Sequence, residues 1–233
     1  MNNVVLSYTK DKTVTHIRGV ILDVDGTLVD SNDAHAKSWV EAMAEYGYHV
    51  PYEKVRPLIG MGGDKVLPET IGIQKDSPQG KKISQRRAEI FKERYLPTVR
   101  AFPKARELLQ RMRESGLKLA VASSAQPDEL EALLNIVGAS DLIEVKSSSK
   151  DAQSSKPDLD IMQVTLQRLG FPPDQVVMLG DTPYDIEAAR KVGVGTIALR
   201  SGGWHDHELR GALAIYDDTA DLLAHYDSSP LHS

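Results

Sequence analysis

The chain has 233 residues, no cysteine and a formal net charge of -5, with 41% hydrophobic and 26% charged residues. That composition suits a globular protein with a sizeable core and excludes disulfides, thiolate catalysis and cysteine-ligated zinc. The acidic balance argues against general affinity for nucleic acid or anionic membranes, and no apolar run approaches the ~18 residues of a membrane span.

Residues 1–14 read as an extension without the pattern of a signal peptide, so the cytoplasm is the expected location. Ile17, Val20, Ile21 and Leu22 form a short apolar strand pattern, and Gly26-Thr27 punctuates it as a turn. Asp23 and Asp25, two apart, project to one side of an extended backbone. Two carboxylates held together raise each other's proton affinity unless a shared proton or a hard cation lies between them. An exposed acidic turn capping the next helix is the plainer alternative.

Ala34 to Tyr46 has helical spacing, with Trp39, Met43 and Tyr46 on one face. The chain stays helical in character to about Val99, interrupted by Pro51, Pro57, Gly60, Gly62-Gly63 and Gly72, and holds no convincing strand. The basic run Lys81 to Arg100 reads as a solvated helix face. After Pro103, Leu108, Leu109 and Met112 mark a helix, Gly116 ends it, and Leu117–Ala122 is a strand. The pattern then gives a helix over 127–137, a strand over Leu142–Val145, a helix from Pro157 to Leu169 and a strand over Val176–Leu179. A helix over Pro183–Val192, a strand over Val194–Leu199, and a last strand and helix within 213–226 complete it. Ser147–Ser155 is low in complexity and reads as a mobile loop.

Strands alternating with helices predict an α/β fold: a doubly wound, mostly parallel sheet built from 15–33 and 99–227, with 34–98 as an inserted helical cap and 228–233 as a second extension. Such sheets bind ligands beyond the carboxyl ends of their strands. Those ends carry Asp23 and Asp25, Ser123-Ser124, Lys156 before Pro157, and Gly180-Asp181 with Asp185. A hydroxyl, an ammonium and several carboxylates at one edge suit a phosphate ester beside a divalent cation. Lys156 and Ser123 would hold phosphate oxygens, while Asp23, Asp181 and a backbone carbonyl would hold the cation. Each residue also has a structural reading. Ser123 and Ser124 suit helix N-caps, and Thr182-Pro183-Tyr184-Asp185 matches an N-cap, a proline at the first helical position and an acidic first turn.

Taken in order, Asp23-Val-Asp-Gly-Thr27, Ser123, Lys156-Pro157 and Gly180-Asp-Thr-Pro-Tyr-Asp185 resemble the four signatures of the haloacid dehalogenase superfamily of phosphohydrolases. The insertion after the first signature resembles the cap of its phosphoglycolate phosphatase and β-phosphoglucomutase branch. The resemblance implies that Asp23 attacks phosphorus and forms an aspartyl-phosphate, and that Asp25 protonates the leaving oxygen and then activates water. It implies Mg²⁺ held by Asp23, the Asp25 carbonyl and Asp181, with Asp185 in support. Lys156, Ser123 and Ser124 would balance the phosphoryl charge, with Gly26 and Thr27 close to the phosphate.

Asp25 favours ester hydrolysis over dehalogenation, since dehalogenases of the family lack an aspartate there. Gly180 stands where β-phosphoglucomutases usually carry Glu. A mutase remains the alternative, and a phosphoacceptor signalling domain a remote one. A small phosphorylated metabolite is the expected partner, with the choice of ester resting on the cap. There Lys65, in Gly60-Met-Gly-Gly-Asp-Lys65, could meet a second anionic group, and His35 could face the cleft.

Overall fold

The computed structural model describes residues 16–151, 155–158 and 160–232. The expected N-terminal extension, 1–14, and part of the expected mobile loop lie outside the described residues. The chain enters through β1 (Gly19–Leu22) and β2 (Val29–Asp30), then runs through α1 (Asn32–Glu45), α2 (Tyr52–Val55), α3 (Gly63–Ile71) and α4 (Pro78–Ile90). It returns through β3 (Arg100–Ala101) to α5 (Ala105–Glu114), β4 (Lys118–Ala122), α6 (Pro127–Val137) and β5 (Val145–Ser147). Then follow α7 (Asp160–Leu169), β6 (Val176–Gly180), α8 (Pro183–Lys191), β7 (Gly195–Leu199), β8 (Ala214–Tyr216) and α9 (Thr219–Ala224).

Six strands form one parallel sheet in the order β5-β4-β1-β6-β7-β8. Strand β1 lies between β4 and β6, which explains its unbroken apolar run: a strand covered on both faces has no position for a polar side chain. Its residues alternate as the pleat requires. Val20 and Leu22 enter the apolar cluster that contains residues of α5 and α6, and Ile21 enters the opposite cluster beneath α7 and α8. Burying each such side chain stabilises the fold by about 1.5–3 kcal/mol.

The insertion has an apolar cluster of its own, including Trp39, Met43, Leu67 and Ile83. Where the chain leaves for it and returns, β2 and β3 pair antiparallel. Strands of two residues carry no readable period, so this ribbon is invisible in the sequence.

Several boundaries differ from expectation. Strand β5 falls at Val145–Ser147, later than predicted, because Leu142 and Ile143 pack into the core from a turn. Helix α7 starts at Asp160, not Pro157. Helix α1 starts at Asn32, and Tyr46 sits beyond its end, 38% exposed, rather than on the Trp39–Met43 face. The core also runs past 227, since Leu231 is buried in the cluster with Leu222 and Tyr226. Among the described residues no helix is long and apolar enough to cross a membrane.

Candidate active site

Three neighbouring strands deliver the site. Asp23 follows β1, Ser123 follows β4 and Asp181 follows β6, so the order β4-β1-β6 sets them side by side at the carboxyl edge. After Asp23 the chain turns sharply. The Val24 carbonyl accepts from the Leu28 and Val29 amides at 2.9 and 3.0 Å. Gly26 takes a φ of +80°, and a Cβ there would lie 2.1 Å from Asn32 Nδ2 and 2.2 Å from Asp181 Oδ2. Only glycine fits both the dihedral and the space.

Lys156, 1% exposed, contacts Asp23 Oδ1 and lies 2.7 Å from Asp185 Oδ1. Asp181 accepts from Thr27 Oγ1 at 2.8 Å and from Asn32 Nδ2 at 3.0 Å. Asp185 serves two purposes. It completes a capping box with Thr182 at the start of α8, as its position predicts, while its other oxygen faces Lys156. Gly180 makes room for it, because a Cβ at 180 would come within 2.6 Å of the Asp185 side chain.

The charges are unequal. Burial, reinforced by Asp185, Asp181 and Asp25, pushes the Asp23 carboxyl well above its ordinary range against the opposing pull of Lys156. Burial and Asp185 push Asp181 up to about 7, although Thr27, Asn32 and Lys156 oppose them. Lys156 goes the other way: burial would discharge it, but Asp185 and Asp23 outweigh burial and hold it protonated. Carboxylate oxygens of Asp23, Asp181 and Asp185 lie within 4.8 Å of one another. A cluster of hard oxygen donors this reluctant to ionise together fits a divalent cation of the Mg²⁺ type.

Asp25 faces a different set. Its Oδ1 accepts from Ser31 Oγ at 2.5 Å and meets His35 Nε2 at 2.7 Å. On the far side of the imidazole, Arg87 of α4 contacts Nδ1, and a guanidinium can only donate. Nδ1 is therefore the acceptor, and Nε2 carries the proton that it donates to Asp25. The ring stacks on Phe91 with centroids 4.1 Å apart. Arg87 in turn pairs with Glu129 of α6 at 3.0 Å. Burial alone would raise Asp25, but His35, Ser31 and Arg87 together outweigh it and hold the carboxyl below its usual range.

Both acids open onto one cavity of about 110 Å³, lined on the core side by Ser123, Ser124 and Gln126 and on the insertion side by Trp39, Met61 and Arg87. The two serines do not N-cap α6, whose N-cap is Gln126. Ser123 Oγ instead accepts from the Ala125 amide at 3.1 Å, and Ser124 Oγ has no partner among the described residues. His35 lines the cavity and Gly60, Gly62 and Gly63 border it. Lys65 is not among its lining residues: its ammonium pairs with Asp158 at 2.7 Å. Beside it Asp64 Oδ1 accepts from Ser155 Oγ at 2.5 Å, so the insertion grips the Lys156 loop on both sides of the lysine.

Arg87 and Glu129 were not legible as site residues while Lys81 to Arg100 read as a solvated face. One signal does exist. Arg87 shares the apolar face of α4 with Ile83 and Ile90, both fully buried, and a cation in that phase needs a buried partner.

Residues 20–199 match the family model for haloacid dehalogenase-like hydrolases. The chain belongs to that family. It is similar to a Caldanaerobacter subterraneus protein provisionally assigned as pyrophosphatase PpaX, with 30% identity covering 79% of this chain and 82% of the relative. It is also similar to an N-acetylmuramic acid 6-phosphate phosphatase of Pseudomonas aeruginosa, 26% identical over 89% of this chain and 93% of that one. Among solved structures, a hydrolase from Pseudomonas syringae superposes with a TM-score of 0.84 at 30% identity, covering 91% of this chain and 98% of the other. The sequence resemblance and the six-stranded parallel fold agree with this placement.

Proposed function

We propose that this chain is a Mg²⁺-dependent phosphatase of small phosphate monoesters that works through an aspartyl-phosphate on Asp23. The observation that carries the reading is the division of labour between two neighbouring acids. Asp23 lies against the buried ammonium of Lys156, whereas Asp25 is bonded to His35 and Ser31 and held in the opposite protonation range. Asp23 attacks phosphorus, while Lys156 and the Ser123 and Ser124 hydroxyls take up charge on the phosphoryl oxygens. Asp25 stands ready as the base that deprotonates the hydrolytic water. For the first half-reaction it must be protonated, so expulsion of the alcohol is favoured as pH falls.

Asp23, the Asp25 carbonyl and Asp181 would hold Mg²⁺, with Asp185 fixing Lys156 and the Asp181 backbone. Bound there, the cation supplies screening of the phosphate's negative charge. The helical insertion acts as a cap that encloses the ester in the cytoplasm. The relatives point to small phosphorylated anions, since pyrophosphate and N-acetylmuramic acid 6-phosphate each carry a second acidic group.

Phosphate esters assayed with Mg²⁺ and with chelator test this reading. Inorganic phosphate should be released with Mg²⁺ and not with chelator. Interconversion of sugar phosphates without release would replace it with a mutase, and absence of turnover on every ester would overturn it.

A further inference from the structure

Three cations near the cavity are already engaged. Lys156 meets Asp23 and Asp185, Arg87 meets Glu129, and Lys65 meets Asp158. Lys75, in the turn between α3 and α4, is different. It lines the cavity, and its ammonium has no hydrogen bond or ion pair with any described residue.

Its position is built into the fold. The carbonyls of Gln74 and Lys75 press so closely on α4 that a Cβ at Gly80 would lie 2.1 Å from the first and 2.8 Å from the second. Ser77 fixes the same turn, donating from its hydroxyl to the Gln74 carbonyl at 2.7 Å and accepting from the Gly80 amide at 3.0 Å. Gly80 is a poor helix former in a helix, and this close approach explains its presence. On the other flank a Cβ at Gly63 would strike Trp39 at 2.9 Å and reach Lys75 Cε at 4.0 Å. Gly80 thus makes room for the Lys75 backbone, and Gly63 for the Trp39 ring beside the lysine's side chain.

Two more polar atoms of cavity-lining residues lack partners. Ser84 Oγ and Arg87 Nε, about one turn apart on α4, are buried without partners among the described residues. An ammonium and a guanidinium only donate, and a serine hydroxyl can donate as well. A ligand complementary to this set presents acceptor oxygens and negative charge.

Resting on the reading of the Asp23 edge as the phosphoryl site, we propose that Lys75, with Ser84 Oγ and Arg87 Nε, binds a second anionic group on the leaving-group side of the substrate. The substrate is then a small phosphorylated compound bearing a carboxylate or a second phosphate, and Lys75 sets that preference.

Steady-state kinetics of the full chain with 2-phosphoglycolate, pyrophosphate and glycerol phosphate read the preference directly. Lys75→Met should lower the ratio of kcat/KM for an anion-tailed substrate over glycerol phosphate by about tenfold or more, through KM, and Lys75→Arg should restore most of it. A fall for 2-phosphoglycolate alone assigns a carboxylate, and a fall for pyrophosphate alone a second phosphate. An unchanged ratio for both overturns the proposal.

Calorimetry on the Asp23→Asn background separates this test from the phosphatase reading, because it needs no turnover. There Lys75→Met should raise the Kd of 2-phosphoglycolate or of pyrophosphate, relative to inorganic phosphate, by a similar factor. Equal Kd ratios with and without Lys75 for both ligands would refute the subsite, whatever the enzyme hydrolyses.

Discussion

On the sheet edge Lys156 is held between Asp23 and Asp185, and Asp181 accepts from Thr27 and Asn32. Across the cavity, Lys75, Ser84 and Arg87 line the same space, and the Lys75 ammonium, Ser84 Oγ and Arg87 Nε have no partners among the described residues. The core side is organised around its own charges, and on the proposed reading one phosphoryl group and one cation complete it. The insertion side has donors left over, which the proposed subsite assigns to the rest of the substrate. On that reading chemistry and selectivity are divided between two pieces of chain that meet at Arg87, which touches His35 on one side and Glu129 on the other.

The sharpest way to break this division is at the core. Asp23→Asn should lower kcat by about 10³-fold or more while leaving the Kd for 2-phosphoglycolate within a few-fold. If turnover survives, the nucleophile lies elsewhere. Asp181→Asn should cost at least about tenfold in Mg²⁺ affinity, measured by activity against Mg²⁺ concentration.

The same carboxyl predicts a pH dependence of stability. The native state keeps the Asp181 proton up to about 7, whereas an unfolded chain releases it near 3.9. The native state therefore binds more protons across that window, and this group destabilises the protein as pH rises through it. In chelator, the Tm of Asp181→Asn relative to the parent should rise between pH 4 and 7. A constant difference would refute the assigned shift.

At the junction of the two regions the expected effect is smaller. Arg87→Met removes a cation that helps keep Asp25 ionised, so the Asp25 carboxyl should titrate at higher pH. The basic limb of kcat/KM should move up with it, and kcat should fall about tenfold. A fall in kcat with an unmoved pH profile would reduce Arg87 to packing. Smallest of all is the grip on the Lys156 loop. Lys65→Met should change kcat/KM by no more than about fivefold, since a partly exposed pair contributes about 1 kcal/mol or less. The reversed pair, Lys65→Asp with Asp158→Lys, should recover much of that loss.

The sequence was most informative where the fold leaves little choice. Asp23, Ser123 and Asp181 each end a strand buried on both faces, and adjacent parallel strands must bring such ends together. The insertion offered no comparable frame. A lysine at 65 and a lysine at 75 look alike in sequence, and only tertiary packing turns one toward Asp158 and the other into the cavity. Asn32 was hidden for a related reason. It lies in the first turn of α1, but its amide is spent on Asp181, 149 positions away.

Covalent capture is the most direct test of the central claim. Acid quenching during turnover of a phosphate ester with Mg²⁺, followed by borohydride reduction and peptide mass spectrometry, reads which carboxylate carries the phosphoryl group. The label should fall on Asp23 and be absent from Asp23→Asn. Label on Asp25 instead, or rapid phosphate release with no covalent label in the parent protein, would contradict the division of roles between the two acids.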